Sequence, residues 1–208
     1  MDAVLSGDEA AALAIAQEAG GVPFLVTRSL ADLRHGLRQL SRGLRRSGLI
    51  ASAGGRRLRA EGLGVQVTDI AHYFLDRWPD VRASDALEVF ATEYDCQGLE
   101  LDIVGLAWSG DFIRQGGAWL PRQFRGTTWQ RVHNPSERSF LLNTYRVLLT
   151  RARYETVIWV PPGSPATDPW HDATRPTEEM DALAAFLLRC GAQKLVLNHA
   201  APAPALAF

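Results

Sequence analysis

With 208 residues, 47% of them hydrophobic and 22% charged, a formal charge of -1 and a mean hydropathy of -0.08, the chain has the make-up of one soluble domain with a full core, which excludes wholesale disorder. No apolar run reaches the roughly 20 residues of a membrane span. The Met1-Asp2-Ala3-Val4 start has no basic segment ahead of an apolar one, and Cys96 and Cys190 are too few for a disulfide framework or a zinc quartet, so a cytoplasmic protein with no membrane partner is expected.

In chain order, Ser6-Gly7-Asp8-Glu9 has the spacing of a capping box and predicts a helix to about Ala19, ended by Gly20-Gly21. Residues 1–20 are accordingly read as an N-terminal helix, 21–198 as the main domain and 199–208 as a flexible, alanine- and proline-rich tail. Val22 to Val26 reads as a strand, and Thr27-Arg28-Ser29 as the turn into a second helix with Leu30, Leu33, Leu37, Leu40 and Leu44 on one face. Arg34, Arg38 and Arg42 form a stripe beside them. Gly48 to Ser52 is a further strand, followed by a glycine- and arginine-rich turn. From Arg28 to Arg59 nine arginines face a single acid, Asp32, a local charge of +8 that suits a polyanion or is balanced by acids elsewhere in the fold.

Ile70 to Trp78 is predicted helical, and Leu87–Ala91 and Leu101–Trp108 as strands, the second apolar enough to be covered on both faces. Asp111 to Val132 has no regular pattern; its Trp119, Phe124 and Trp129, set among arginines, either stack bases or pin the segment to the core. Asn134-Pro135-Ser136-Glu137 opens a buried helix to about Ala152. A strand over Thr156–Val160, a loop to Pro176 and a helix over Glu178–Arg189 follow. Strands alternating with helices predict a mostly parallel sheet covered on both faces.

Chemistry concentrates in two places. Thr92, Gln97, Gly98 and Glu100 occupy the loop between two core strands, where ligands of open α/β sheets bind; the same residues also make an ordinary polar turn. Arg146, Arg151 and Arg153 lie at the end of a buried helix, where a guanidinium needs either an anion or nearby acids. Five scattered histidines show no ligand spacing, so no metal is expected. Of the 22 basic residues 21 are arginine, and Lys194 has neither the glycine before it nor the hydroxyl residue after it that a phosphate loop needs.

Thr92-Glu93 with Gln97-Gly98-Leu99-Glu100 resembles motif V of superfamily 1 helicases, and Val147-Leu148-Leu149-Thr150-Arg151-Ala152-Arg153 resembles their motif VI. Together with Gly48–Gly62 and Phe124-Arg125-Gly126-Thr127-Thr128-Trp129, these blocks resemble the schlafen group 3-type DNA/RNA helicase domain family from about Pro23 to Gly191. The resemblance implies a RecA-like three-layer α/β sandwich, the C-terminal of the two RecA-like domains of a helicase motor. It implies Arg151 as arginine finger, Glu100, Gly98, Gln97 and Arg153 at the nucleotide, and Thr92, Arg56, Arg57 and Arg146 at nucleic acid. The implied partners are single-stranded DNA or RNA and a first RecA-like domain, upstream or in trans. ATP with Mg²⁺ is expected only in the complete two-domain enzyme, with no intrinsic cofactor. The alternatives are a non-catalytic binding module on the same fold, or a hydrolase using Glu93, Asp95 and Glu100, which needs a closed pocket of paired carboxylates with raised pKa values.

Overall fold

The computed structural model describes residues 1–21 and 23–197. The expected tail over 199–208 lies outside the described residues, as does Val22, the expected start of the first strand. The N-terminal segment forms two helices rather than one, α1 (Asp2–Ser6) and α2 (Glu9–Glu18). Gly7, at φ 81°, closes α1, and the Asp8 carboxylate accepts the Ala11 N–H at 2.9 Å, so Asp8 rather than Ser6 caps α2.

Next come β1 (Leu25–Thr27), α3 (Leu30–Leu40), β2 (Ser47–Ala51), a 3-10 turn over Arg56–Glu61, α4 (Ile70–Leu75), a second 3-10 turn over Ser84–Ala86 and β3 (Phe90–Ala91). Ser29 caps α3, accepting the Asp32 N–H. That helix stops at Leu40, so Arg42 leaves the stripe and Leu44, 91% exposed, belongs to no core. β4 (Leu101–Ala107) precedes the segment that lacked a pattern. It folds as an antiparallel meander of β5 (Phe112–Gln115), β6 (Ala118–Arg125) and β7 (Thr128–Arg131). Its two-residue turns, Gly116-Gly117 and Gly126-Thr127, place three glycines at φ between 59° and 79°, the left-handed conformation tight hairpins need. Then follow α5 (Pro135–Leu149), β8 (Ala152–Trp159), α6 (Thr177–Arg189) and β9 (Gln193–Lys194).

Six strands form one parallel sheet in the order β3-β2-β4-β8-β1-β9. On one face α3 packs Leu33 and Leu37 against Leu49, Ile103, Val157 and Trp159. The other face carries Ile50, Val104, Leu106 and Ile158 under α1, α5 and α6, with Tyr145, Leu148, Leu183 and Phe186. Each such side chain contributes about 1.5–3 kcal/mol by leaving water. The architecture is a three-layer α/β sandwich of RecA-like type. Only the second half of α5 is deeply buried, at Thr144, Tyr145, Leu148 and Leu149, whereas residues 135–140 are exposed.

Candidate nucleotide and nucleic-acid interface

The loop from Thr92 to Glu100 leaves the carboxyl end of β3 and re-enters the sheet at the amino end of β4, so its two ends lie on opposite edges of the sheet. Thr92 is buried, and its N–H and hydroxyl both donate to one oxygen of Asp95, each at 2.7 Å. This closes a turn that the Cys96 N–H completes on the Thr92 carbonyl. Cys96 is packed away, and burial pushes its thiol up to about 11, which removes it as a nucleophile at neutral pH. Gly98 has φ 77°, a conformation a side chain would strain. Gln97, Gly98 and Glu100 are exposed.

Arg151 meets this loop at the amino-terminal edge. Leu101 and Ala152 are register partners, and the Leu101 N–H donates to the Arg151 carbonyl. The guanidinium donates through Nη1 to the carbonyls of Cys96 and Leu99 at 3.5 and 3.4 Å, through Nε to Val147 and through Nη2 to the Thr150 hydroxyl. Among the described residues no carboxylate pairs with it. Arg153 differs, since it bonds Glu100 at 3.1 Å with both side chains at least half exposed. Gln97, Gly98, Glu100, Arg151 and Arg153 are therefore gathered at one edge.

The other predicted residues lie elsewhere. Thr92 sits at the carboxyl-terminal edge, as do Arg56 and Arg57 after β2. Arg56 is exposed with no partner among the described residues, whereas Arg57 pairs with Asp172 and stands 5.2 Å over the Phe124 ring. Arg146 faces outward from α5 and pairs with Asp2 and Asn143. The +8 segment is partly neutralised: Arg28 pairs with Asp181 and Arg34 with Glu88, and Arg46 donates to the carbonyls of Tyr73, Leu75 and Asp76. Arg38, Arg42 and Arg59 are exposed and, like Arg56, carry no ion pair among the described residues.

Outside the carboxyl ends of β2, β3 and β4 a cleft of about 580 Å³ opens between the sheet, the meander and the start of α5. Two buried carboxylates line it, and only Glu93 was a candidate by sequence. Asp111 accepts the Ser52 hydroxyl at 2.5 Å and the Tyr145 phenol at 2.6 Å. Glu93 accepts the Ala53 N–H at 2.8 Å. Burial raises the pKa of both despite these donors. Asp95 instead closes the Thr92 turn. Asp111, Ser52 and Tyr145 come from three separate elements; the one available signal was Ser109-Gly110-Asp111 at the mouth of an apolar strand.

Residues 1–162 match the family described as Schlafen group 3, DNA/RNA helicase domain. The chain belongs to this family. As a schlafen group 3 helicase-like domain it carries the family's association with DNA and RNA, and among the described residues no helix is long and apolar enough to cross a membrane. No curated protein and no solved structure matches the chain. Placed on this domain, the motif V-like loop and the arginines after α5 adjoin one another at the amino-terminal edge, although 52 residues separate Leu99 from Arg151.

Proposed function

We propose that the chain is the second RecA-like domain of a superfamily 1-like, ATP-dependent DNA/RNA helicase. In this reading Arg151 is the arginine finger, completing an ATP site with a first RecA-like domain that brings the phosphate loop and the Mg²⁺ ligands. Glu100 hydrogen-bonds the ribose once it exchanges its exposed partner Arg153, and Gln97 and Gly98 line the same side of the nucleotide. Arg56 contacts the single strand directly, Arg57 and Arg146 do so by exchanging Asp172 and Asp2 for phosphates, and the buried Thr92 shapes the turn beside them.

The observation that supports this most is the state of Arg151. Its guanidinium is half-buried and oriented by four neutral oxygens, and it has no carboxylate partner among the described residues. A guanidinium held by neutral acceptors keeps its full charge available to a phosphoryl group, as phosphoryl transfer requires. Arg46 is also held by backbone carbonyls, so the neutral setting gains its weight from place: Arg151 stands at the same edge as the exposed Gln97, Gly98 and Glu100.

The test is ATP hydrolysis by the chain alone and after addition of a first RecA-like domain from the same family. Hydrolysis is expected only in the mixture, and Arg151→Ala lowers it by about 10³-fold. Hydrolysis by the chain alone, or a mixture indifferent to Arg151→Ala, overturns the proposal. A non-catalytic nucleic-acid-binding module is favoured by a different observation, the exposed Arg38, Arg42, Arg56 and Arg59, which have no ion pair among the described residues. That reading predicts oligonucleotide binding with a steep salt dependence that no nucleotide analogue alters.

A further inference from the structure

We propose that the cleft at the carboxyl ends of β2, β3 and β4 holds one unstacked nucleobase, and that Glu93 reads the hydrogen-bond donors on its Watson–Crick edge. The inference rests on the nucleic-acid-binding part of the function proposed above and adds base selectivity to it. At about 580 Å³ the cleft falls inside the roughly 300–1,000 Å³ of ligand pockets. Its lining combines three features that a base with its phosphates needs together.

The first is aromatic surface left open. Tyr94 and Phe140 are 60% and 52% exposed, with ring centroids 6.4 Å apart and planes within 28°. Two large rings stacked on each other and left to water form a platform on which a base buries its own face. Phe124 lines the same cleft.

The second is a carboxylate with an oxygen short of partners. Asp111 is only 1% exposed, and both of its oxygens already accept short hydrogen bonds, from Ser52 and Tyr145, which leaves it out of a ligand's reach. Glu93, 8% exposed, is different. Its Oε2 accepts the Ala53 N–H at 2.8 Å, while the Thr144 hydroxyl stands 3.5 Å from Oε1, the limit of a hydrogen bond. A buried carboxylate oxygen lining a cleft without a good donor calls for one from a ligand. Guanine presents two adjacent donors, N1–H and the 2-amino group, one for Oε1 and one for the second lone pair of Oε2, which the Ala53 N–H leaves free. Adenine and cytosine offer a single amino group. Thymine and uracil flank their one N–H with carbonyl oxygens, which a carboxylate repels.

The third is cationic charge at the same cleft. Arg56 has no partner among the described residues, and Arg125 bonds only the neutral Gln123 side-chain oxygen, at 2.7 and 3.2 Å. Both are available to phosphates flanking the bound base.

The experiment is a fluorescence-anisotropy titration of the whole chain with oligo-dT carrying one central dG, dA, dC, dT or abasic site. The dG oligomer is expected to bind roughly ten-fold tighter than all-dT. Glu93→Gln brings it down to the all-dT affinity, and Phe140→Ala, at an exposed position that leaves the core intact, weakens every oligomer except the abasic one. Equal affinity for all five oligomers, or a dG preference that survives in Glu93→Gln with an unchanged melting temperature, overturns the base-reading pocket while leaving nucleic-acid binding standing. Absence of binding to any oligomer overturns both.

Discussion

Arg151 and Arg153 are neighbours in sequence and opposites in setting, one aimed at backbone carbonyls and the other neutralised in solvent by Glu100. The contrast recurs among the acids. Burial raises the pKa of Asp111, so the folded state binds its proton more tightly than the unfolded chain, where the ordinary value is 3.8. Stability from that proton is fully present below 3.8 and is lost as pH rises through the higher folded value. Asp111→Asn removes the titration. The unfolding free energy of the native chain relative to Asp111→Asn, from urea titrations at a series of pH values, is therefore expected to fall as pH rises above 3.8 and to level off once Asp111 is ionised. A difference that is flat in pH counts against the assignment. The exposed Asp69 and the half-buried Asp80, held below the ordinary value by hydrogen bonds accepted from His72 and Arg82, act in the opposite sense and are common to both proteins.

At the scale of elements, the parallel strands were legible because strands covered on both faces are almost uninterrupted runs of apolar residues, as in Ile103, Val104, Leu106 and Ala107. The loop from Thr92 to Glu100 and the arginines after α5 were legible as motifs. The meander was not, since β6 is mostly half-buried and β7 mostly exposed, and neither offers a clean alternation. Its one local signal was the pair of two-residue glycine turns. Gly117→Val, at φ 79°, is expected to cost about 1–2 kcal/mol in urea denaturation by forcing a branched side chain into the left-handed region. The same change at an exposed strand position such as Thr128 is expected to be near neutral. The site at the carboxyl edge stayed hidden for another reason: Ser52 and Glu93 follow β2 and β3, Asp111 precedes β5 and Tyr145 is in α5, so they meet only through the fold.

For the whole molecule, a net charge of -1 hides an uneven surface. Three arginines of the Arg28–Arg59 segment are neutralised by Asp181, Glu88 and Asp172, and Arg46 is used up on carbonyls, so the cationic surface is narrower than the sequence count of +8. Arg56, beside the cleft, remains. If it contacts a phosphate, Arg56→Ala weakens binding to all oligonucleotides alike and lowers the slope of log affinity against log salt by about 1. An unchanged slope places the strand elsewhere.

The loop from Thr92 to Glu100 crosses from one edge of the sheet to the other with both ends fastened, at Asp95 near its start and under Arg151 near its finish. Between these two anchors Gln97, Gly98, Leu99 and Glu100 are exposed. Anything that draws Arg151 outward pulls on the carbonyls of Cys96 and Leu99, and through the Thr92 turn on the backbone of Glu93. One short run of chain thus borders both edges of the sheet, and each edge is held to it by its own hydrogen bonds.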